Sequence, residues 1–167
     1  MRIQSRRSNT YFEPWQTPIM SLQTVGFDGI LNTRWRTHFC LSVDTGRVAH
    51  IVTIPSSAPY RVFEEAHLTF LDKYFDTTMS TEELSTLRPR FCQTWKLWNT
   101  DYIKEMDKGV CLSGSVGDHN PEIFQCFIKT QEEWIEFIYP TPEWRVIENS
   151  NFEEIVNYYL VEDVPKD

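Results

Sequence analysis

The chain has 167 residues, 41% of them hydrophobic and 14% aromatic, enough for one domain with a sizeable core and too apolar for a disordered chain. No apolar run approaches the ~20 residues of a membrane-spanning helix, so no membrane partner is expected. The net charge is −8 and unevenly placed: eleven of the 24 acidic residues, but only three of the 16 basic ones, fall between Glu122 and Asp167. That balance opposes direct nucleic-acid binding by the bulk surface and favours a basic protein as partner.

Residues 1–22 read as an irregular arm, and 23–167 as a single α+β domain. Arg2, Arg6 and Arg7 supply the basic start of a secretory leader, but Asn9, Glu13, Pro14, Gln16 and Pro18 interrupt the apolar stretch that should follow. The expectation is a cytoplasmic protein whose cysteines, Cys40, Cys92, Cys111 and Cys126, are reduced thiols. They lie far apart without a CxxC pair, so neither a zinc knuckle nor a thioredoxin-like site is suggested. Tyr11, Phe12 and Trp15 of the arm are expected to lie across the domain surface.

Gln23–Leu31 reads as a short strand ending near the turn signals Gly26, Asp28 and Gly29. Thr37–Val43 and Arg47–Ile54 are rich in β-branched residues and are joined by Asp44-Thr45-Gly46, the pattern of a hairpin with a three-residue loop and a G1 bulge. Tyr60–Phe75 shows helical spacing of Val62, Phe63, Ala66, Phe70, Leu71 and Tyr74. Ser80 and Glu83 form a capping box that opens a short helix, which Pro89 interrupts or kinks. Phe91, Trp95, Trp98 and Tyr102 recur at helical intervals, predicting a helix that ends at Lys108-Gly109.

Val110–Val116 and Glu122–Lys129 read as strands. Thr130 and Glu133 form another capping box, predicting a short helix over Gln131–Tyr139, with a strand as the alternative. Trp144–Ile147 is a brief strand. The last helix opens at Ser150, with Glu153 completing its box and Phe152, Ile155, Val156, Tyr159 and Leu160 on one face. Irregular alternation without βαβ units predicts an α+β fold: one mainly antiparallel sheet with helices packed on one side.

Three constellations could carry chemistry. A three-residue hairpin loop would pair Val43 with Arg47 and so set Cys40 opposite His50, with His38 on the same face. Two imidazoles and a thiol so placed could hold zinc or pair a cysteine nucleophile with a histidine base. The spacing matches no known metal pattern and a fourth ligand is not evident, so the bland reading is a half-buried sheet face. Residues 112–119 are glycine-bearing but lack the Lys-Ser/Thr of a phosphate loop, and Asp118 beside His119 is an acid–base pair only by adjacency. The aromatic stripe is flanked by Arg88, Arg90, Lys96 and Lys104 and could stack bases, although such stripes are usually core.

No motif specifies a reaction, so an enzyme is not the expected reading and no cofactor is implied. The composition favours a small acidic binding protein that recognises, and could neutralise, another protein in the manner of an antidote or inhibitor. The expected contact residues are Glu132, Glu133, Glu136, Glu143, Glu148, Glu153 and Glu154, with Trp144 and Tyr158 as aromatic anchors. The rivals are a metal or cysteine/histidine site at His38, Cys40 and His50, and an acidic mimic of nucleic acid that occupies a DNA-binding protein. Oligomeric state is left open.

Overall fold

The structure is a computed structural model, and it describes residues 2–4, 9–20, 22, 24–43, 47–64, 94–109, 123–148 and 151–162. Among these residues there are ten strands and two helices. In chain order they are β1 (Ile3–Gln4), β2 (Tyr11–Pro14), β3 (Gly26–Asn32), β4 (Arg36–Val43), β5 (Val48–Pro55), β6 (Tyr60–Glu64), β7 (Thr94–Trp98), α1 (Asp101–Gly109), β8 (Gln125–Lys129), β9 (Glu133–Phe137), β10 (Glu143–Glu148) and α2 (Phe152–Glu162). No described helix is long and apolar enough to cross a membrane.

The strands form two antiparallel sheets, ordered β1-β2-β7-β8-β9-β6 and β10-β5-β4-β3. The chain divides into two compact units accordingly. One comprises Met1–Gln23, Pro59–Lys129 and Glu133–Pro140, and the other Thr24–Ala58, Thr130–Glu132 and Thr141–Asp167. This corrects the expected α+β fold: the molecule is mostly β, and the sheets, not helices on a sheet, carry the architecture.

The correction has a local cause. Three stretches expected to be helical are strands where described: Tyr60–Glu64, Thr94–Trp98 and Glu133–Phe137. Glu133–Phe137 lies between β8 and β6, and its last four residues are buried, so both of its faces are covered. The Thr130/Glu133 pair that suggests a helix start is outweighed by pairing with a strand on each side, and burial on both faces removes the alternation that would mark a strand. Trp95 and Trp98, three apart, share a helix face but take opposite faces of a strand, and Trp95 packs edge-on to Phe12 with ring centroids 5.6 Å apart. Asn99, at φ 58°, ends that strand in the left-handed region asparagine tolerates. Thr100 then caps α1 by accepting the Ile103 N–H at 3.1 Å. The expected helix over 80–87 and strand over 110–116 lie outside the described residues, as do residues 65–75 of the Tyr60–Phe75 segment.

Residues 1–22, expected as an irregular arm, supply two strands to the six-stranded sheet. β2 pairs Phe12 with Leu97 on β7, and Phe12 is fully buried. Phe12 thus enters the core through strand pairing, while Tyr11 and Trp15 stay half-buried.

In the second unit the expected hairpin is present with a different register. Val43 pairs with Val48, not Arg47, and the loop residues 44–46 lie outside the described set. Gly26, Asp28 and Gly29 do not end β3. They lie inside it, where the register shifts between Phe27 and Gly29. Gly29 sits at φ +147°, and a Cβ there would meet Phe152 of α2 at 3.3 Å, so glycine serves both the bulge and the close approach. Ile155 of α2 packs on Cys40, Ala49 and Ile51, with Leu31 and Ile147 at the margin.

Candidate partner-binding surface

β10 is short and acidic at both ends, with Trp144, Val146 and Ile147 as its apolar residues. It pairs with β5 through Glu143↔Thr53, Arg145↔Ile51 and Ile147↔Ala49 on one face, and Trp144↔Val52 and Val146↔His50 on the other. It is the terminal strand of its sheet among the described residues. Glu143, Arg145, Val146 and Glu148 are all exposed, Val146 to 47%.

α2 crosses the same sheet, running from Phe152 over Gly29 of β3 to Tyr158 over β10. The Asn151 side chain accepts the Glu154 N–H at 2.9 Å, and Asn151 is therefore the N-cap. Ser150, the expected cap, lies outside the described residues. Glu153 and Glu154 occupy the first turn, where the helix dipole favours negative charge. Arg145 Nη1 donates to the Tyr158 hydroxyl at 3.0 Å, tying strand to helix. Between them lies a groove of about 390 Å³ lined by Arg145, Ile147, Glu154, Ile155 and Tyr158. Its floor is apolar, from Ile147 and Ile155, and its lining carries both charges, from Arg145 and Glu154.

Of the expected contact residues, Glu132, Glu143, Trp144, Glu148, Glu153, Glu154 and Tyr158 belong to this unit, and Glu133 and Glu136 to the other. Glu132, Glu143, Glu148, Glu153 and Glu154 are exposed, and Tyr158 is 45% exposed. Trp144 is half-buried, donating its indole N–H to His50 Nδ1 at 3.0 Å. Glu133 is half-buried on β9, opposite Glu64.

Glu136 departs from the expected surface role. It is fully buried and ion-paired with Arg61, its cross-strand neighbour on β6. Burial pushes its carboxyl up, against the pull of Arg61 and, more weakly, Gln125. The Arg61 guanidinium also lies 4.0 Å over the Tyr102 ring. Spacing alone could not reveal this, because the compensating cation is 75 residues away. Arg145 and Ile147 were likewise missed, although Arg145 is the only arginine in the acidic stretch and could have drawn notice.

The His38/Cys40/His50 group does not assemble. The register sets Cys40 opposite Ile51 and His50 opposite Leu41, so His50 lies on the other sheet face from His38 and Cys40. His38 shares a 2.7 Å hydrogen bond with Thr53. Burial, then Asp28, pushes the Cys40 thiol up to about 12, the reverse of an activated nucleophile. Burial lowers His50, and with Nδ1 accepting from Trp144 the neutral ring keeps its proton on Nε2. Among the described residues no group of three or more His, Cys, Asp or Glu is placed to hold a metal ion. Residues 112–119, with Asp118 and His119, lie outside the described set, as do Arg88, Arg90 and Phe91 of the aromatic stripe.

Comparison with protein-family models, with curated proteins and with solved structures finds no match for this chain.

Proposed function

We propose that this chain is a binding protein that recognises a basic protein partner through the β10–α2 face of its second unit. The observation that carries this reading is the groove between β10 and α2, with Glu154 in its lining, exposed Glu153 beside it in the first turn of α2 and exposed Glu143 on the same face of β10. Sparse apolar contact within acidic surroundings is what a fast-associating, charge-selective interface needs. Neutralisation of the partner is the physiological outcome we favour. We place the protein in the cytoplasm, a setting that suits the buried free thiols Cys40 and Cys126.

The test is a low-salt capture from the protein's own cells, comparing the native chain with a Glu143→Lys/Glu153→Lys/Glu154→Lys variant. The native chain should retain a stoichiometric basic companion, with association slowed about tenfold or more by the reversals. A companion held with the same on-rate by both chains would remove the surface from consideration.

A further inference from the structure

We infer that Gln125 couples the charge of Glu136 to the N-terminal cap of α1, so that the first turn of this helix senses pH. A run of donors aimed one way connects the two. The Ile103 N–H donates to Thr100 Oγ1 at 3.1 Å, and the Thr100 hydroxyl donates onward to Gln125 Oε1 at 2.6 Å. Phe127 pairs with Glu136, which sets Gln125, two residues earlier on β8, diagonally across from Glu136 on the same sheet face. Gln125 Nε2 and Glu136 Oε1 are both buried without a close hydrogen-bond partner, the one a donor and the other an acceptor. The Gln125 side chain stands near enough to Glu136 to hold its carboxyl down. Thr100, Gln125 and Glu136 are all fully buried.

This order of donors holds only while Glu136 is an anion. Thr100 Oγ1 accepts from Ile103, so its own proton needs an acceptor. Gln125 therefore presents Oε1 to the hydroxyl and Nε2 to the carboxylate. A protonated Glu136 reverses the demand, because its carboxyl has a proton to donate and the acceptor that Gln125 offers is Oε1. Turning the carboxamide over meets that demand and brings Nε2 to Thr100 Oγ1. The hydroxyl then takes two N–H donors while its own proton loses its acceptor, and the cap weakens. The other groups around Glu136 are Arg61 on β6 and Tyr102 on α1, with Glu105 acting on Tyr102. The guanidinium keeps its charge, and Tyr102, raised by burial to about 12, stays protonated. That leaves Glu136 and two exposed acids of α1, Asp101 and Glu105, to be told apart by experiment.

The test follows the full chain by NMR from neutral pH downward for as long as it stays folded. It reads the Glu136 carboxyl carbon, the Gln125 side-chain amide and the Ile103 backbone amide. The three signals should move with one midpoint above the ordinary carboxyl value of 4.5. Below that midpoint Ile103 exchange, corrected for its intrinsic rate, should quicken about threefold or more. Glu136→Gln should remove the shared midpoint from Gln125 and Ile103. Gln125→Met, which keeps the length of the side chain, should leave Glu136 titrating while Ile103 no longer follows. An Ile103 response that survives Glu136→Gln would belong to Asp101 or Glu105 and overturn the coupling. One that still tracks Glu136 in Gln125→Met would show that Gln125 is not the link, and would overturn it equally. A Glu136 carboxyl that keeps one charge state wherever the chain is folded would overturn the pH sensing.

Discussion

Glu136 shows how a single charge is kept inside this protein. Its carboxylate has left water for the interior of the six-stranded sheet, and Arg61 compensates it from the neighbouring strand. Removing the cation should therefore cost more than removing the anion. Arg61→Ala strands a buried carboxylate and should destabilise by about 3 kcal/mol or more. Glu136→Gln leaves a partly exposed guanidinium that water can reach and should cost about 1 kcal/mol. Urea titration of both variants checks the order. The pH dependence has a definite sign. A carboxyl raised in the folded state binds more protons there than in the unfolded chain, so stability falls as pH rises from the ordinary value of 4.5 through the raised one. Glu136→Gln should abolish that slope. Arg61→Ala should widen it, recovering stability toward acid.

At the scale of elements, the two helices are held by caps of different worth. Asn151 caps α2 from an exposed position, and Asn151→Ala should cost ~1 kcal/mol. Thr100 is fully buried and does two things: it accepts the Ile103 N–H and donates to Gln125 Oε1 at 2.6 Å. Thr100→Ala removes the cap and strands a buried amide oxygen, so a loss of about 2–3 kcal/mol is expected, with Thr100→Ser restoring most of it. Thermal melts of the four chains, native included, would separate these effects. The β4–β5 hairpin makes the same point about register. Its existence is legible in the β-branched runs on either side of Asp44-Thr45-Gly46. Its pairing, Val43 with Val48, is one residue away from the simplest loop, and that single step sends His50 to the opposite face from Cys40.

For the molecule as a whole, each unit buries a free thiol, Cys126 in one and Cys40 in the other. Burial raises both thiols, Cys40 to about 12, so at pH 8 neither should react with iodoacetamide until the unit around it unfolds. Site-resolved mass spectrometry across a denaturant series would follow the units separately. Rapid native labelling of Cys40 would contradict its buried, protonated state. Composition and charge placement were enough to establish a substantial core and an acidic C-terminal stretch. The β4–β5 hairpin, the strand at Trp144–Ile147 and the helix after residue 150 could also be read locally, because their patterns arise from neighbours in the chain. The strands at Tyr60–Glu64, Thr94–Trp98 and Glu133–Phe137 could not, because what makes them strands is pairing with segments far away in sequence. Only the tertiary structure decided which glutamates stay in water: exposed Glu153 and buried Glu136 are chemically alike, and a partner 75 residues distant separates them.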